Sequence, residues 1–273
     1  MAKTLPVGIQ VYTVRDYAEK DFEGTMKTLK EIGYDYVELA GLYGHSADEI
    51  AAMCKNAGVN PISAHVPIAE LLADTEKTVS DYEKIGCKFI AIPYLGEDMR
   101  PGVPNYDEVL EKISAIGEVC KAHGIKLLYH NHDFEFVKMP DGSYGLDYLY
   151  AHVCSCRLST ELDTCWVKVA GEDPAAYIRK YSGRSPVVHL KDFVGGKTEN
   201  MYELIGTDEA KAEKSEAFQF RPVGSGVQDF PGILAAAIEA GSEYVVVEQD
   251  SWNDLDAMEC ARSSREYLRK LGW

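Results

Sequence analysis

Residues 83–93, Glu-Lys-Ile-Gly-Cys-Lys-Phe-Ile-Ala-Ile-Pro, decide how the chain is read. An amphipathic stretch runs out at Ile85, Gly86 follows, and a wholly apolar run, Phe89–Pro93, begins almost at once. Glycine just past a helix takes the left-handed conformation that ends it without steric cost. A short apolar run with no polar alternation reads as a strand of a parallel sheet, covered on both faces. The same joint recurs at Ile32-Gly33-Tyr34, Ala57-Gly58-Val59, His123-Gly124-Ile125 and Ala240-Gly241-Ser242. Five copies of one joint make a repeated unit.

Outward from that joint, the other strand candidates are Pro6–Tyr12, Tyr36–Ala40, Pro61–Val66, Lys126–His130, Arg157–Asp163, Pro186–Leu190 and Tyr244–Glu248. With Phe89–Pro93 they make eight. Helical patterns separate them over Phe22–Ile32, Ala47–Ala57, Ile68–Ile85, Tyr106–Ala122, Pro174–Tyr181 and Phe230–Ala240. Eight βα units in 273 residues predict a single (β/α)8 TIM barrel, one α/β domain over residues 1–273. The first strand has no G-x-G-x-x-G after it, which removes the main signal for a dinucleotide-binding open sheet. One spacing departs from the pattern. Between Leu190 and Phe230 lie Gly195-Gly196, a charged run over Ala210–Glu216, and Arg221-Pro-Val-Gly-Ser-Gly226. A long insertion after strand 7 is expected on the C-terminal face, where it would shape the site.

A formal charge of −16 leaves no basic footprint, so a nucleic-acid partner is not expected. The N-terminal segment lacks the apolar run of a signal peptide and no stretch approaches 18 apolar residues, so no membrane association is expected and the cytoplasm is the predicted location. Seven cysteines without a C-x-x-C pair are read as buried reduced thiols.

In a barrel of this kind, polar residues at the C-terminal ends of strands surround the mouth. Here those ends carry Gln10 and Tyr12, Glu38, His65, His130-Asn131-His132, Asp163, His189 with Lys191-Asp192, and Glu248-Gln249-Asp250. A charged group closing an apolar strand must be hydrated, paired or metal-bound, since burying it alone costs several kcal/mol. Asp163, His189 and Glu248 each close such a strand, and an acid from the fifth unit, Glu135, would complete a set of three carboxylates and one imidazole. That donor set suits one divalent cation: Mn²⁺, Co²⁺, Mg²⁺ or Zn²⁺.

The runs VGIQVYTVRD at 7–16, YHNHDFEF at 129–136, LDTCWV at 162–167, VVHLKDF at 187–193, FRPVGSGVQDF at 220–230 and YVVVEQD at 244–250 together resemble the xylose isomerase-like TIM-barrel superfamily. More narrowly, they resemble the bacterial proteins called sugar phosphate isomerase/epimerase. The resemblance implies a single divalent metal on Glu135, Asp163, His189 and Glu248. Many relatives place a glutamate where this chain has His130 or Asn131, which makes His132 the alternative to Glu135. It implies a small sugar substrate, with or without a phosphate, and chemistry that begins by removing a proton next to a carbonyl.

On that reading Glu135 and Glu248 face each other as the catalytic pair. His65 and Lys191 hydrogen-bond substrate oxygens, His130 and His132 are further substrate contacts, and Gln10, Gln249 and Arg221 lie further out. Tyr12, Trp166 and Phe193 pack on the ring, and Glu38 is a third acid or a structural partner of a nearby base. An isomerase or epimerase is the first expectation. A lyase acting on a keto-sugar, either a keto-inositol dehydratase or a C-glycoside deglycosidase, uses the same opening step. A metal-dependent endonuclease is disfavoured by the net charge and by having only seven histidines. A non-catalytic sugar-binding barrel is disfavoured by the two acids. The sequence leaves the oligomeric state open, a homo-oligomer included.

Overall fold

The computed structural model describes residues 4–197, 218–253 and 255–273. Eight parallel strands close into a barrel. They are β1 (Val7–Gln10), β2 (Tyr36–Ala40), β3 (Asn60–His65), β4 (Phe89–Ile92), β5 (Lys126–His130), β6 (Ser159–Asp163), β7 (Val187–Leu190) and β10 (Tyr244–Val247). The ring runs β1-β2-β3-β4-β5-β6-β7-β10 and back to β1, where Val7 pairs with Val245 and Ile9 with Val247. Among the described residues, the two strands outside the ring, β8 (Asp192–Gly195) and β9 (Phe218–Arg221), form an antiparallel pair within the expected insertion. The charged run over 210–216 lies outside the described residues.

Local chemistry explains the helix boundaries. Helices α2 (Phe22–Ile32), α3 (Ala47–Ala57), α6 (Tyr106–Ala122) and α10 (Phe230–Ala240) have the expected limits. Ser46 opens α3 with a capping box, its hydroxyl facing the Glu49 N–H while the Glu49 carboxylate accepts the Ser46 N–H. Gly86 closes α5 (Thr75–Ile85) at φ 99°, a conformation that a β-carbon would strain. The stretch 68–85, expected as one helix, is two: α4 (Ile68–Ala73) ends at Asp74, whose carboxylate accepts the Lys77 N–H and starts α5 afresh. The remaining α-helices among the described residues are α1 (Arg15–Ala18), α7 (Gly145–His152), α8 (Thr164–Val169), α9 (Pro174–Lys180) and α11 (Ala257–Lys270).

The outward faces of the strands pack on the helices in one large core, with Val37, Leu39, Ile90, Leu127, Tyr129 and Val245 among its members. A separate apolar cluster holds Phe89, Leu128, Val187, Tyr244 and Val246, with Tyr36 against it. These are inward-facing residues of the strands' earlier positions, so they plug the N-terminal end of the barrel. Among the described residues no helix is long and apolar enough to cross a membrane. Five cysteines are buried and free, as expected. Cys154 and Cys156 depart from that expectation: both are exposed, in the loop before β6, and they are joined to each other.

Candidate metal centre

Because side chains alternate along a strand, the residue two beyond each plug residue also faces inward. On β5 that step leads from Leu128 to His130, on β7 from Val187 to His189, and past the end of β10 from Val246 to Glu248. On β6 the inward positions are Ser159, Glu161 and Asp163. The register sets Asp163 beside His189 and His130 beside Glu161. His130, Asp163, His189 and Glu248 thereby bring one ligand atom each to within 4.8 Å of the others, all buried, and this group could hold a metal ion. A second group, His65, His130, Glu161 and His189, meets the same limit and shares both central histidines with the first.

Three of the four expected ligands therefore converge, and the fourth does not. After His130 the chain leaves the strand and makes a 3₁₀ turn over Phe134–Phe136. That turn directs Glu135 toward Tyr129, which faces outward from β5 into the helical core. The Glu135 carboxylate accepts the Tyr129 hydroxyl and, at 2.8 Å, the His132 N–H. Burial pushes it up to about 7, against the hydrogen bond from Tyr129. Glu135 belongs to neither group. His130 occupies the fifth-strand position, so the donor set is two imidazoles and two carboxylates rather than one and three. His132, the alternative ligand, is also absent from both groups. It stacks on Phe134 and lies near Trp166.

Glu161 was not singled out from the sequence, although its position two residues before Asp163 on one strand was the signal for it. Its Oε2 is 2.7 Å from His65 Nε2. Glu38 accepts from Gln10 Nε2 at 2.7 Å and stands 3.1 Å from His65 Nε2 and 2.8 Å from His189 Nε2. The alternatives for Glu38 resolve toward a buried partner of histidines, held by Gln10. Lys191 is 1% exposed, with its Nζ 2.7 Å from Asp250, 3.0 Å from Glu248 and 3.4 Å from Asp163.

The electrostatics follow from this crowding. Five carboxylates, Glu38, Glu161, Asp163, Glu248 and Asp250, are almost wholly buried around one lysine and three imidazoles. Burial disfavours the ammonium of Lys191, but Asp250, Glu248 and Asp163 outweigh it and hold its pKa well above the ordinary value. Burial works against the Glu248 carboxylate too, and Lys191 and His189 overcome it, keeping Glu248 charged. Asp163 is pushed up to about 6 by burial, which Lys191 opposes. His65 loses to burial and gains more from Glu38 and Glu161, which raise it to about 10. Burial holds His130 well below its usual range, so it is the neutral imidazole a cation requires.

Asp163 Oδ2, Glu161 Oε1, His130 Nδ1 and His189 Nε2 are buried without a hydrogen-bond partner. The vacant oxygen of Asp163, within a cluster rich in negative charge, is the environment a divalent cation satisfies. The residues present fit such an ion.

The centre opens into a cavity of about 280 Å³ at the mouth. Tyr12, His65, His130, His132, Lys191 and Glu248 line it, as expected, together with Asp250, Glu70 and Tyr94. The other expected contacts are not in its lining. Gln10 and Glu38 lie deeper. Gln249 is held by Ser251 O and Cys260 Sγ, and Arg221 pairs with Gln219. Trp166 and Phe193 pack with Phe218 and Phe220 under the hairpin. Asp192 is structural as well, its carboxylate accepting the N–H groups of Phe193, Gly224, Gly226 and Gln228. Gly226 passes so close that a β-carbon there would sit 2.3 Å from Asp192 Oδ1, which accounts for the second glycine of the Gly-Ser-Gly run.

Residues 26–271 match the family model of the xylose isomerase-like TIM barrel, and the chain belongs to that family. It is 27% identical to an inosose dehydratase of Clostridium beijerinckii over 165 residues, 58% of this chain and about half (52%) of that protein. The fold superposes on a sugar phosphate isomerase/epimerase from Parabacteroides distasonis with a TM-score of 0.77 and 22% identity, covering 97% of this chain and 98% of the other. It also superposes on the IOLI protein, whose structure holds a zinc atom, with a TM-score of 0.70 and 16% identity, covering 98% of each chain.

Proposed function

We propose that this protein is a divalent-metal-dependent enzyme that removes the proton beside the carbonyl of a small keto-sugar or keto-polyol and then eliminates water. The observation that carries the reading is the convergence of His130, Asp163, His189 and Glu248 at the floor of the mouth cavity. A bound divalent ion supplies Lewis acidity to the carbonyl oxygen, which makes the neighbouring C–H acidic enough to ionise.

Glu248 is the base. It lines the cavity, and Lys191 and His189 keep it charged. Lys191 and His65, cationic donors on the same wall, stabilise the oxygen on which charge develops. Tyr12 offers an aromatic edge for the ring and is itself held by Arg15, whose guanidinium lies 4.0 Å from its ring centre and 4.4 Å from that of Trp252.

Elimination is preferred to epimerisation for a geometric reason. Epimerisation needs a proton donor and an acceptor on opposite faces of one carbon. The partner expected for Glu248 was Glu135, and it is tied to Tyr129 outside the centre. The similarity to an inosose dehydratase supports the same preference. Aldose–ketose isomerisation is the second reading, because one base can serve both carbons. Metal-loaded protein incubated in D₂O with a panel of keto-sugars, keto-polyols and aldoses separates the outcomes. Elimination gives a product lighter by one water. Isomerisation gives a mass-neutral product carrying deuterium. No exchange with any panel member, or exchange undiminished by thorough chelation, would sink the proposal.

A further inference from the structure

Below the four candidate ligands lies a layer of two acids that the chemistry above does not use, Glu38 on β2 and Glu161 on β6, with His65 of β3 against both. Each central histidine stands between this layer and the mouth. His189 Nδ1 is 2.9 Å from Glu248 Oε2, while its Nε2 is 2.8 Å from Glu38 Oε1 and 3.4 Å from Glu161 Oε1. His130 Nε2 is 3.6 Å from Asp163 Oδ2 and 3.8 Å from Glu248 Oε2, while its Nδ1 is 3.3 Å from Glu161 Oε2. A neutral imidazole has one N–H and one lone pair, and whichever nitrogen finds an acceptor keeps the proton. A cation needs the lone pair. The choice of tautomer therefore decides whether the mouth presents two donors to an ion or two protons.

We propose that Glu38 and Glu161 are positioning residues, an acidic floor that takes the N–H of His189 Nε2 and of His130 Nδ1 and so turns both lone pairs toward Asp163 and Glu248. The inference rests on the metal reading above and is independent of the substrate. Three observations carry it. Both floor acids are wholly buried, so they have no solvent to turn to. Each is anchored by a neighbour, Glu38 Oε1 by Gln10 Nε2 and Glu161 Oε2 by His65 Nε2. A cation on Asp163 and Glu248 would displace the proton that His189 Nδ1 shares with Glu248, and the carboxylates beside the inner nitrogens are the floor acids, 2.8 Å from His189 Nε2 and 3.3 Å from His130 Nδ1. The same atoms could be read as a second cation site. Two ions would then take both nitrogens of both rings, leaving each imidazole without any proton, whereas a neutral ring has a single lone pair to give. One ion above an acidic floor leaves each ring one lone pair to give and one proton to donate.

The test compares the whole protein with Glu161→Gln and Glu38→Gln, using Co²⁺ and Zn²⁺ as probes. Metal analysis of the unsubstituted protein should find one ion per chain. Competition with a chromophoric chelator should show affinity falling about 10- to 100-fold in each variant, the usual scale for an outer partner of a ligating histidine. The visible Co²⁺ spectrum should shift in both. The metal-free variants should melt no lower than the parent, because each substitution removes one of five crowded carboxylates; a residue that only supports the fold would lower both affinity and melting temperature. In the Zn²⁺-loaded parent, long-range ¹H–¹⁵N correlations should place the protons on His189 Nε2 and His130 Nδ1. Unchanged affinity and spectra in both variants, or the reverse tautomers, overturn the positioning role. Two ions per chain, one of them lost in the variants, overturn it in favour of a second cation site. A parent that binds no divalent ion overturns the metal reading itself, and the function with it.

Discussion

The two ends of the barrel interior are built from the same strands and could hardly differ more. At the N-terminal end Phe89, Leu128, Val187, Tyr244 and Val246 fill the lumen. One inward position later the lumen holds His130, His189 and Glu248 beside Glu161 and Asp163. The change takes a single two-residue step on β5, on β7 and past the end of β10. Burying apolar surface contributes stability, whereas burying charge costs it unless every group is paired. The plug and the outer core carry the fold, and the mouth draws on that stability to hold five carboxylates out of water. Stability and chemistry are thus separated along the strand axis, not between strands.

The largest effect that could break this comparison is on turnover. His189→Asn should abolish metal binding and reduce turnover by well over about 100-fold, beyond the scale set by outer partners alone. The circular dichroism should remain that of the parent. Metal analysis and the deuterium-exchange assay check it, and collapse of the fold would show that the mouth is not separable from the plug. At the other end, Phe89→Ala should cost about 3–5 kcal/mol in urea unfolding while leaving one metal ion per folded chain. A loss of metal from still-folded protein would join what the comparison separates.

The smallest of the three concerns Glu135, which sits behind the strand and outside both ends. Its folded pKa, about 7, lies above the ordinary carboxylate value, so the folded state holds a proton that the unfolded chain has released. The penalty is absent below about pH 4.5 and grows as pH rises to about 7, where it is nearly complete, on the order of 3 kcal/mol. Stability should therefore fall over that window, and Glu135→Gln should flatten that part of the curve. Parallel curves for the two proteins, from denaturant unfolding at each pH, would remove Glu135 from the buried pair with Tyr129.

The chain's local signals were strong wherever one residue answers one need. The spacing of apolar residues, the aspartate and serine caps and the glycines after helices all act within a few residues, so four helices have the expected limits. The break at Asp74 was equally local: an aspartate ahead of Thr-Glu-Lys is an N-cap, and the continuous apolar spacing on both sides hid it. Glu161 was legible too, by counting back two from Asp163.

What the sequence by itself determined was the alternation of strand and helix, the closed barrel it implies, and three of the four converging side chains, because each depends on periodicity within one strand. Only the tertiary structure decided the fourth. Past the end of β5 the period of two no longer applies, and a 3₁₀ turn delivers Glu135 to Tyr129 while His130, still on the strand, faces the ions' place. The tertiary structure also decided that Asp192 serves a glycine loop, that Lys191 serves three carboxylates and that Gln249 and Arg221 are occupied elsewhere. Those assignments depend on groups tens to hundreds of residues apart meeting in space, and no local pattern records such a meeting.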